Sequence, residues 1–393
     1  MSFPVSLATM VYNMIVPRRP DNTWARNQAF TVSAVIPTYN EEKKIGNTIE
    51  GIAGQTYPFL KDIYVLDDNS SDNTAKEVES LMEEYPYIKY LKSTTNRGKG
   101  RNLEFLLNHE YEGLGDIVWV VDSDIKAHPK QLISLIDKFE NDNVAAVSGR
   151  VWPEKPVNGT RTEKLLYHGR SRSYDVNAFH RRYQERRDAL YVLVGANFAF
   201  RKDIVHKIGL PHRTVTEDLD LCWILQEKGY RVNVALEPRS KSSIPSTIND
   251  YYNQIKRWNT GSLQSLYANR KELAKAPKLA LTTLLPAYAG AYGAAIYRFS
   301  TPIVAIADPA LGAGMFALDI AQSTLFTAIF SRENLFRYPA YYAHAYVTGA
   351  SWLHAGYDVT KDIMMGRTEQ WGKQGWERVL ISQDNTHRNL ARG

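Results

Sequence analysis

Residues 117–124 read IVWVVDSD: five apolar residues, Ile117 to Val121, then two aspartates around one serine. A short apolar run of this length, rich in β-branched residues, reads as a buried strand. The question is what two carboxylates do at its tip. Working outward, the same texture recurs. TVSAVIPTYN (residues 31–40) is a β-branched run closed by a turn, DIYVLDDNS (62–70) is another strand ending in acids, and YIKYLKS (87–93) is a third strand. Helical segments alternate with them. EEKKIGNTIEGIAGQ carries Ile45, Ile49 and Ile52 at helical spacing, NTAKEVESLMEEY has Asp72 or Asn73 available as a cap, and GRNLEFLLNHEY and HPKQLISLIDKFEND follow. This alternation predicts an α/β fold with a mostly parallel sheet covered on both faces. Its polar residues cluster after each strand, at the carboxyl edge where open α/β sheets bind ligands. Strand texture returns in YVLVGANFAF and RVNVAL, and INDYYNQIKRWNTGSLQSLYANRKEL reads as an amphipathic helix.

Three acidic clusters follow apolar stretches: Asp67-Asp68, Asp122-Ser123-Asp124 and Glu217-Asp218-Leu219-Asp220. Any one of them reads as a helix cap. Two at strand tips of one sheet, with a third farther along, point instead to a shared edge. Neighbouring carboxylates repel, and a hard divalent ion relieves that repulsion. Mg²⁺ or Mn²⁺ takes one or two protein carboxylates and completes its shell with phosphate oxygens and water. Asp122 and Asp124, two apart on an extended strand, would point to one ligand. Lys99 and Arg257 are candidates to stabilise a diphosphate leaving group. Motifs of other enzymes are absent: there is no G-x-x-x-x-G-K-[ST] loop, no G-x-G-x-x-G fingerprint after the first strand, no G-x-S-x-G elbow and no H-E-x-x-H pair.

The chain has 393 residues, 44% of them apolar, enough for one large domain with an appendage or for two domains. That composition argues against a wholly disordered chain. The net charge of +6 suits an anionic partner such as a nucleotide, a phospholipid surface or a nucleic acid; solubility alone explains it equally well. The single cysteine, Cys222, excludes an internal disulfide and a thiolate metal cluster, and suits a reducing compartment. No signal peptide is evident. Residues 1–17 are uncharged and precede Arg18 and Arg19, as in an interfacial anchor or a packed terminal segment. The run from Arg170 to Arg187 reads as a solvated helix face, with an anionic lipid contact as the sharper alternative. Gly195-Ala196-Asn197 reads either as strand packing or as a groove lining that lets a sugar chain approach. Farther on, Leu279–Tyr297 is a run of 19 uncharged residues and Tyr338–Tyr357 a run of 20 without Asp, Glu, Lys or Arg. The apolar stretch between them is interrupted by Asp308 and Asp319. Their lengths suit membrane helices, while their many Thr, Tyr and small residues suit a soluble helical domain.

VSAVIPTYNEEKKIGNTIEGIAGQTYP, VLDDNSSDNT, NRGKGRNL, VWVVDSD, VGANFAFRKD, TEDLDLCWILQEKGYRV and QIKRW occur in that order. This set resembles the family-2 inverting glycosyltransferases of the nucleotide-sugar-binding α/β fold called GT-A. Within them it resembles the processive membrane synthases of cellulose, chitin, hyaluronan and poly-N-acetylglucosamine. The likeness covers roughly residues 30 to 265; the C-terminal third matches loosely, through apolar segments and a closing GKQGWERV.

The resemblance implies an N-terminal apolar segment (1–28), a GT-A catalytic domain (29–270) and a C-terminal helical, membrane-associated region (271–393), with the catalytic domain in the cytoplasm. It implies transfer from a UDP-sugar donor to a glycan or glycolipid acceptor, with Mg²⁺ or Mn²⁺. Asp67 and Asp68 would face uracil and ribose, with Pro37, Tyr39 and Glu41 lining that pocket and Lys99 near the nucleotide. Asp122 would contact the ribose or metal side and Asp124 the metal. Asp218, with Glu217 beside it, would be the general base. Gln254, Arg257 and Trp258 match the family's Q-x-x-R-W pattern, with Arg257 neutralising the diphosphate and Trp258 stacking beneath the acceptor sugar. As solvated turn and core or interface residues, Lys99 and Trp258 have blander readings. Departures from the pattern, a short proline-bearing N-terminus and apolar segments broken by Asp308 and Asp319, put processivity in question. Single addition to a lipid, a protein or a modified nucleic-acid base is the alternative. A non-catalytic module binding polyanions or membranes is a third reading.

Overall fold

A computed structural model describes residues 28–275, 277–331 and 333–371. The N-terminal apolar segment with Arg18 and Arg19, and the closing GKQGWERV, lie outside the described residues. A seven-stranded sheet organises the rest, in the spatial order β3-β2-β1-β4-β8-β6-β9. β1 (Val32–Thr38), β2 (Leu60–Asp67), β3 (Ile88–Lys92) and β4 (Ile117–Val121) pair in parallel. β8 (Asn197–Arg201) runs antiparallel between β4 and β6 (Val144–Ser148), and β6 pairs in parallel with β9 (Arg231–Val234). A small second sheet orders β5 (Ile125–Lys126), β10 (Ser240–Ser242) and β7 (Val151–Pro153).

The parallel half needs crossover helices, and α1 (Ile45–Ala53), α2 (Thr74–Glu84) and α3 (Lys99–His109) supply them. Both faces of β4 are fully buried, which explains its unbroken apolar run. Ile45, Ile49 and Ile52 pack in the core on one face of the sheet, while Leu103, Leu106 and Leu107 of α3 pack on the other. At α2, Asn73 occupies the cap position without a side-chain capping bond, its Nδ2 donating instead to Glu42. Asp72 accepts from the Thr74 N–H at 3.0 Å. HPKQLISLIDKFEND forms only a short helix, α4 (Gln131–Ile136), and YVLVGANFAF is strand only from Asn197 onward.

α5 (Arg161–Arg186) opens on a capping box, Thr160 with Glu163, and corrects the reading of its basic run as solvated. Arg170, His180 and Arg181 are buried, and Arg172 reaches Thr327 Oγ1 at 2.7 Å. The helix lies between the sheet domain and the C-terminal helices, so these side chains face protein rather than solvent. α6 (Lys202–Ile208), α7 (Glu217–Glu227) and α8 (Ile248–Ala268) follow, then α9 (Leu285–Ala307), α10 (Pro309–Phe330) and α11 (Tyr338–Met364). α11 packs on α5, α8 and α9. The two aspartates that break the apolar stretch have structural roles. Asp308 caps α10, accepting from Ala310 and Leu311 N–H at 3.1 and 3.0 Å. Asp319 pairs with Arg298 of α9 at 3.0 Å. Pro309–Phe330 is long and apolar enough to cross a membrane, with mean hydropathy 1.4 and 11% of its apolar stretch buried in the protein.

Candidate active site

Strand order brings the tips of β2, β1 and β4 side by side, with the start of β8 next to β4. Val121 pairs with Asn197, and the Asp122 N–H donates to the Ala196 carbonyl at 3.1 Å. The Asp67-Asp68 and Asp122-Ser123-Asp124 clusters therefore share one sheet edge with Gly195-Ala196.

Asp67 and Asp68, expected to face uracil and ribose, are both buried and fasten loops. Asp67 accepts from the Ser70 N–H at 2.7 Å and from the Tyr90 hydroxyl. Asp68 accepts from the Arg97 and Gly98 N–H groups at 2.7 and 2.8 Å, fastening the loop that starts α3 to the tip of β2. Pro37 is the penultimate residue of β1, and half-buried Tyr39 and Glu41 occupy the loop beyond the strand. That loop is pinned to the β2 loop, because Ser70 Oγ and Thr74 Oγ1 accept from the N–H groups of Asn40 and Glu41, both at 2.9 Å.

At the β4 tip, the extended arrangement expected of Asp122-Ser123-Asp124 is replaced by a turn. The Ile125 N–H donates to the Asp122 carbonyl at 3.0 Å, and β5 starts at once. The two carboxylates diverge. Asp122 accepts from Lys99 Nζ at 2.6 Å, while Asp124 accepts from Ser242 and Ser243 hydroxyls at 3.1 and 2.9 Å. Burial raises the pKa of Asp124, and the Asp122 charge adds to the rise. Glu41 is raised by burial too, with Asp124 and Asp122 contributing. Three carboxylates therefore feel one another here. Oxygen donors crowded in this way fit a hard divalent ion, which would need only one or two of them. Among the described residues no three acidic, histidine or cysteine side chains close into a ready-made cation cage.

Lys99 is not a solvated turn residue. It opens α3 and bridges two acidic clusters, reaching Asp122, the Gly195 carbonyl at 2.8 Å and Glu217 at 3.9 Å. Desolvation opposes its charge, but Asp122, Glu217 and Asp218 outweigh that, and its pKa is raised.

Glu217 and Asp218 open α7. The Gly195 N–H donates to Asp218 Oδ2 at 2.7 Å, and a Cβ at Gly195 would sit 2.5 Å from that oxygen. Close approach of the carboxylate therefore calls for glycine at this first residue of Gly195-Ala196-Asn197. Desolvation and the Glu217 charge push the Asp218 carboxyl up to about 7, against the pull of Lys99. Asp220, the third acid of this cluster, is fully buried and held by Arg213 at 2.8 Å and Asn269 at 2.6 Å.

Gln254, Arg257 and Trp258 lie on α8, Gln254 about two turns and the others about one turn before Gly261, which packs against Thr216 immediately ahead of α7. Arg257 is exposed and makes no hydrogen bond or ion pair among the described residues. Trp258 is 37% exposed. Gln254 Oε1 accepts from Arg170 at 2.7 Å. Sequence reasoning missed Arg170, lost in a run of charges, and Ser242 and Ser243, which carry no motif.

Residues 33–209 match the family described as Glycosyl transferase family 2. Among curated relatives, the chain is 29% identical over 239 residues to the probable glycosyltransferase YdaM of Bacillus subtilis, covering 59% of this chain and 55% of that protein. It is 27% identical to hyaluronan synthase of Streptococcus pyogenes, covering 65% and 62%. It is 24% identical to the poly-beta-1,6-N-acetyl-D-glucosamine synthase of Staphylococcus epidermidis, covering 70% and 66%. The matched stretches thus span roughly three-fifths of those relatives' own length. Among solved structures, the mannosyltransferase PcManGT of Pyrobaculum calidifontis, in complex with GDP-Man and Mn²⁺, superposes with a TM-score of 0.64. It has 20% identity and covers 91% of this chain and 96% of that one, so the fold is GT-A-like.

Proposed function

We propose that this protein moves a sugar from a UDP-sugar to a glycan or glycolipid acceptor, with inversion at the anomeric carbon, a reading supported by the match of residues 33–209 to the Glycosyl transferase family 2 description. The observation that carries the reading is Asp218, held by the Gly195 N–H next to Glu217 and Lys99, with its pKa near neutrality.

An inverting transfer is a single in-line displacement. The acceptor oxygen forms its bond to the anomeric carbon as the bond to the nucleoside diphosphate breaks on the opposite face, and the acceptor proton passes to a base. Asp218 is that base, since a carboxylate titrating near the working pH combines adequate ionisation with proton affinity. The bond electrons leave with the diphosphate. Lys99 and the Arg257 guanidinium, unpaired among the described residues, are cations available to that charge. Glu217 keeps Asp218 basic by like-charge repulsion.

Asp124 and Asp122, with Glu41 in reach, are the residues that would hold Mg²⁺ or Mn²⁺. Bound there, the ion would neutralise developing charge on the diphosphate. The Mn²⁺ in the mannosyltransferase complex supports the use of a divalent ion as such. Trp258 offers an indole face to a pyranose ring. The similarity to hyaluronan and poly-N-acetylglucosamine synthases supports a polymeric product, and the exposed apolar surface of α10 supports membrane association; a catalytic domain on the cytoplasmic side belongs to the same proposal.

The test is a turnover screen with UDP-N-acetylglucosamine, UDP-glucose, UDP-galactose and GDP-mannose, with Mg²⁺, Mn²⁺ or EDTA, followed by product sizing. Turnover of a UDP-sugar that EDTA abolishes is expected. Products of single additions only would reject polymerisation, and no turnover of any donor would reject the activity.

A further inference from the structure

The Q-x-x-R-W helix is gripped from below by a residue that no motif marks. Arg170 of α5 is 3% exposed, yet it forms no ion pair among the described residues. Its guanidinium donates to Gln254 Oε1 at 2.7 Å and lies against three rings: Tyr251 at 4.7 Å, Trp258 at 5.0 Å and Tyr174 at 5.6 Å. Removing a guanidinium from water without a carboxylate beside it is costly. Here the offset comes from ring quadrupoles and one amide oxygen. Two of those four partners are the residues of α8 assigned to the substrate.

We propose that Arg170 is a positioning residue for the acceptor. It covers one side of the Trp258 indole and clamps Gln254, so that a β-linked sugar stacks on the remaining face in one orientation. This rests on the glycosyltransferase reading above, in which Trp258 meets the acceptor.

A planar guanidinium is what the task needs. It stacks on a ring while its N–H edge reaches the amide. A lysine ammonium keeps the charge but cannot do both. Neighbouring Arg172 has a different job, bonding Thr327 and Ser323 of α10. The positive charge of α5 is therefore divided between the acceptor platform and the apolar helices.

The experiment uses the full chain with UDP-N-acetylglucosamine as donor and a β-linked N-acetylglucosamine tetramer as acceptor probe. Arg170→Lys and Arg170→Gln are compared with the unsubstituted protein for tetramer KM, donor KM, kcat and melting temperature. The tetramer KM is expected to rise about tenfold in both variants while the donor KM stays within about twofold. Lysine is expected not to rescue. The conservative variant decides the matter should the glutamine variant fail to fold. An unchanged tetramer KM in folded Arg170→Lys overturns the proposal, as does a parallel rise in both KM values, which marks a merely structural role. If the unsubstituted protein turns over no nucleotide sugar, the glycosyltransferase reading itself fails.

Discussion

At Asp218, one backbone N–H and one missing methyl group set the chemistry. Burial and Glu217 favour the protonated acid, and the Gly195 N–H and Lys99 favour the ionised one, leaving a pKa of about 7. A base must be ionised to act, so kcat/KM is expected to rise with pH and level off above about 7. Asp218→Asn removes the proton acceptor, and transfer is expected to fall by ~10²–10⁴ while UDP binding, measured by calorimetry, persists. The same shift bears on stability. The folded pKa stands above the unfolded carboxylate value, so the folded state binds the proton more tightly. That advantage is full below about pH 4 and is lost as pH rises through about 7. Asp218→Asn escapes this loss, and its melting temperature relative to the parent is expected to be higher at pH 8 than at pH 5. An identical difference at both pH values would refute the shift. Gly195→Ala tests the same carboxylate from the other side. Its Cβ would lie 2.5 Å from Asp218 Oδ2 and displace it, and misplacement of about 1 Å costs roughly 10²-fold in rate. Asp218, Glu217 and Lys99 were legible in the sequence as types in motifs. The use of Asp67 and Asp68 as loop fasteners was not, because a carboxylate's partners are fixed by loop closure far along the chain.

At the scale of elements, the register between β4 and β8 delivers Asp122 beside Gly195. Within that pair the Trp119 indole N–H donates to Asn197 Oδ1 at 2.9 Å, and both side chains are fully buried. Asn197→Ala leaves the indole N–H without a partner in a dry core, at a cost of roughly 1–3 kcal/mol. A lower melting temperature is expected, together with weaker transfer because the pairing that places Asp122 and Gly195 loosens. A melting temperature equal to the parent's would show that the bond does not hold the strands. The parallel half of the sheet was readable because short runs rich in β-branched residues alternate with amphipathic helices, β4 being an unbroken apolar run. The small sheet β5-β10-β7 was not, since strands of two or three residues show no periodicity. It nevertheless supplies Ser242 and Ser243 to Asp124. The turn at Asp122–Ile125 escaped notice for the same reason: two residues after a strand look extended until β5 reverses them.

At the scale of the molecule, α5 joins the sheet domain to the C-terminal helices. Its arginines looked solvated because a charge run ordinarily is, and only the fold reveals aromatic rings, Gln254 and Thr327 waiting for them. Membrane attachment belongs to this scale as well. On α10, Leu311, Leu318 and Leu325 recur every seven residues and so form one stripe, and all three are exposed, by 56%, 50% and 44%. A surface of this kind, continued by Ile296, Ile303 and Ile306 of α9, is stable where hydrocarbon rather than water covers it. Asp319 does not forbid it, because Arg298 neutralises that carboxylate from the neighbouring helix and both charges turn inward. The full chain mixed with phosphatidylcholine–phosphatidylglycerol vesicles is therefore expected to float with them on a density gradient. Combining Leu311→Gln, Leu318→Gln and Leu325→Gln replaces the stripe with amides whose transfer into hydrocarbon is unfavourable. The floating fraction is expected to fall severalfold, with turnover of the donor in detergent retained, since α10 carries none of the residues assigned to the reaction. Equal flotation of parent and variant would place the membrane contact elsewhere, and loss of turnover in step with flotation would mean that α10 supports the sheet domain rather than anchoring it.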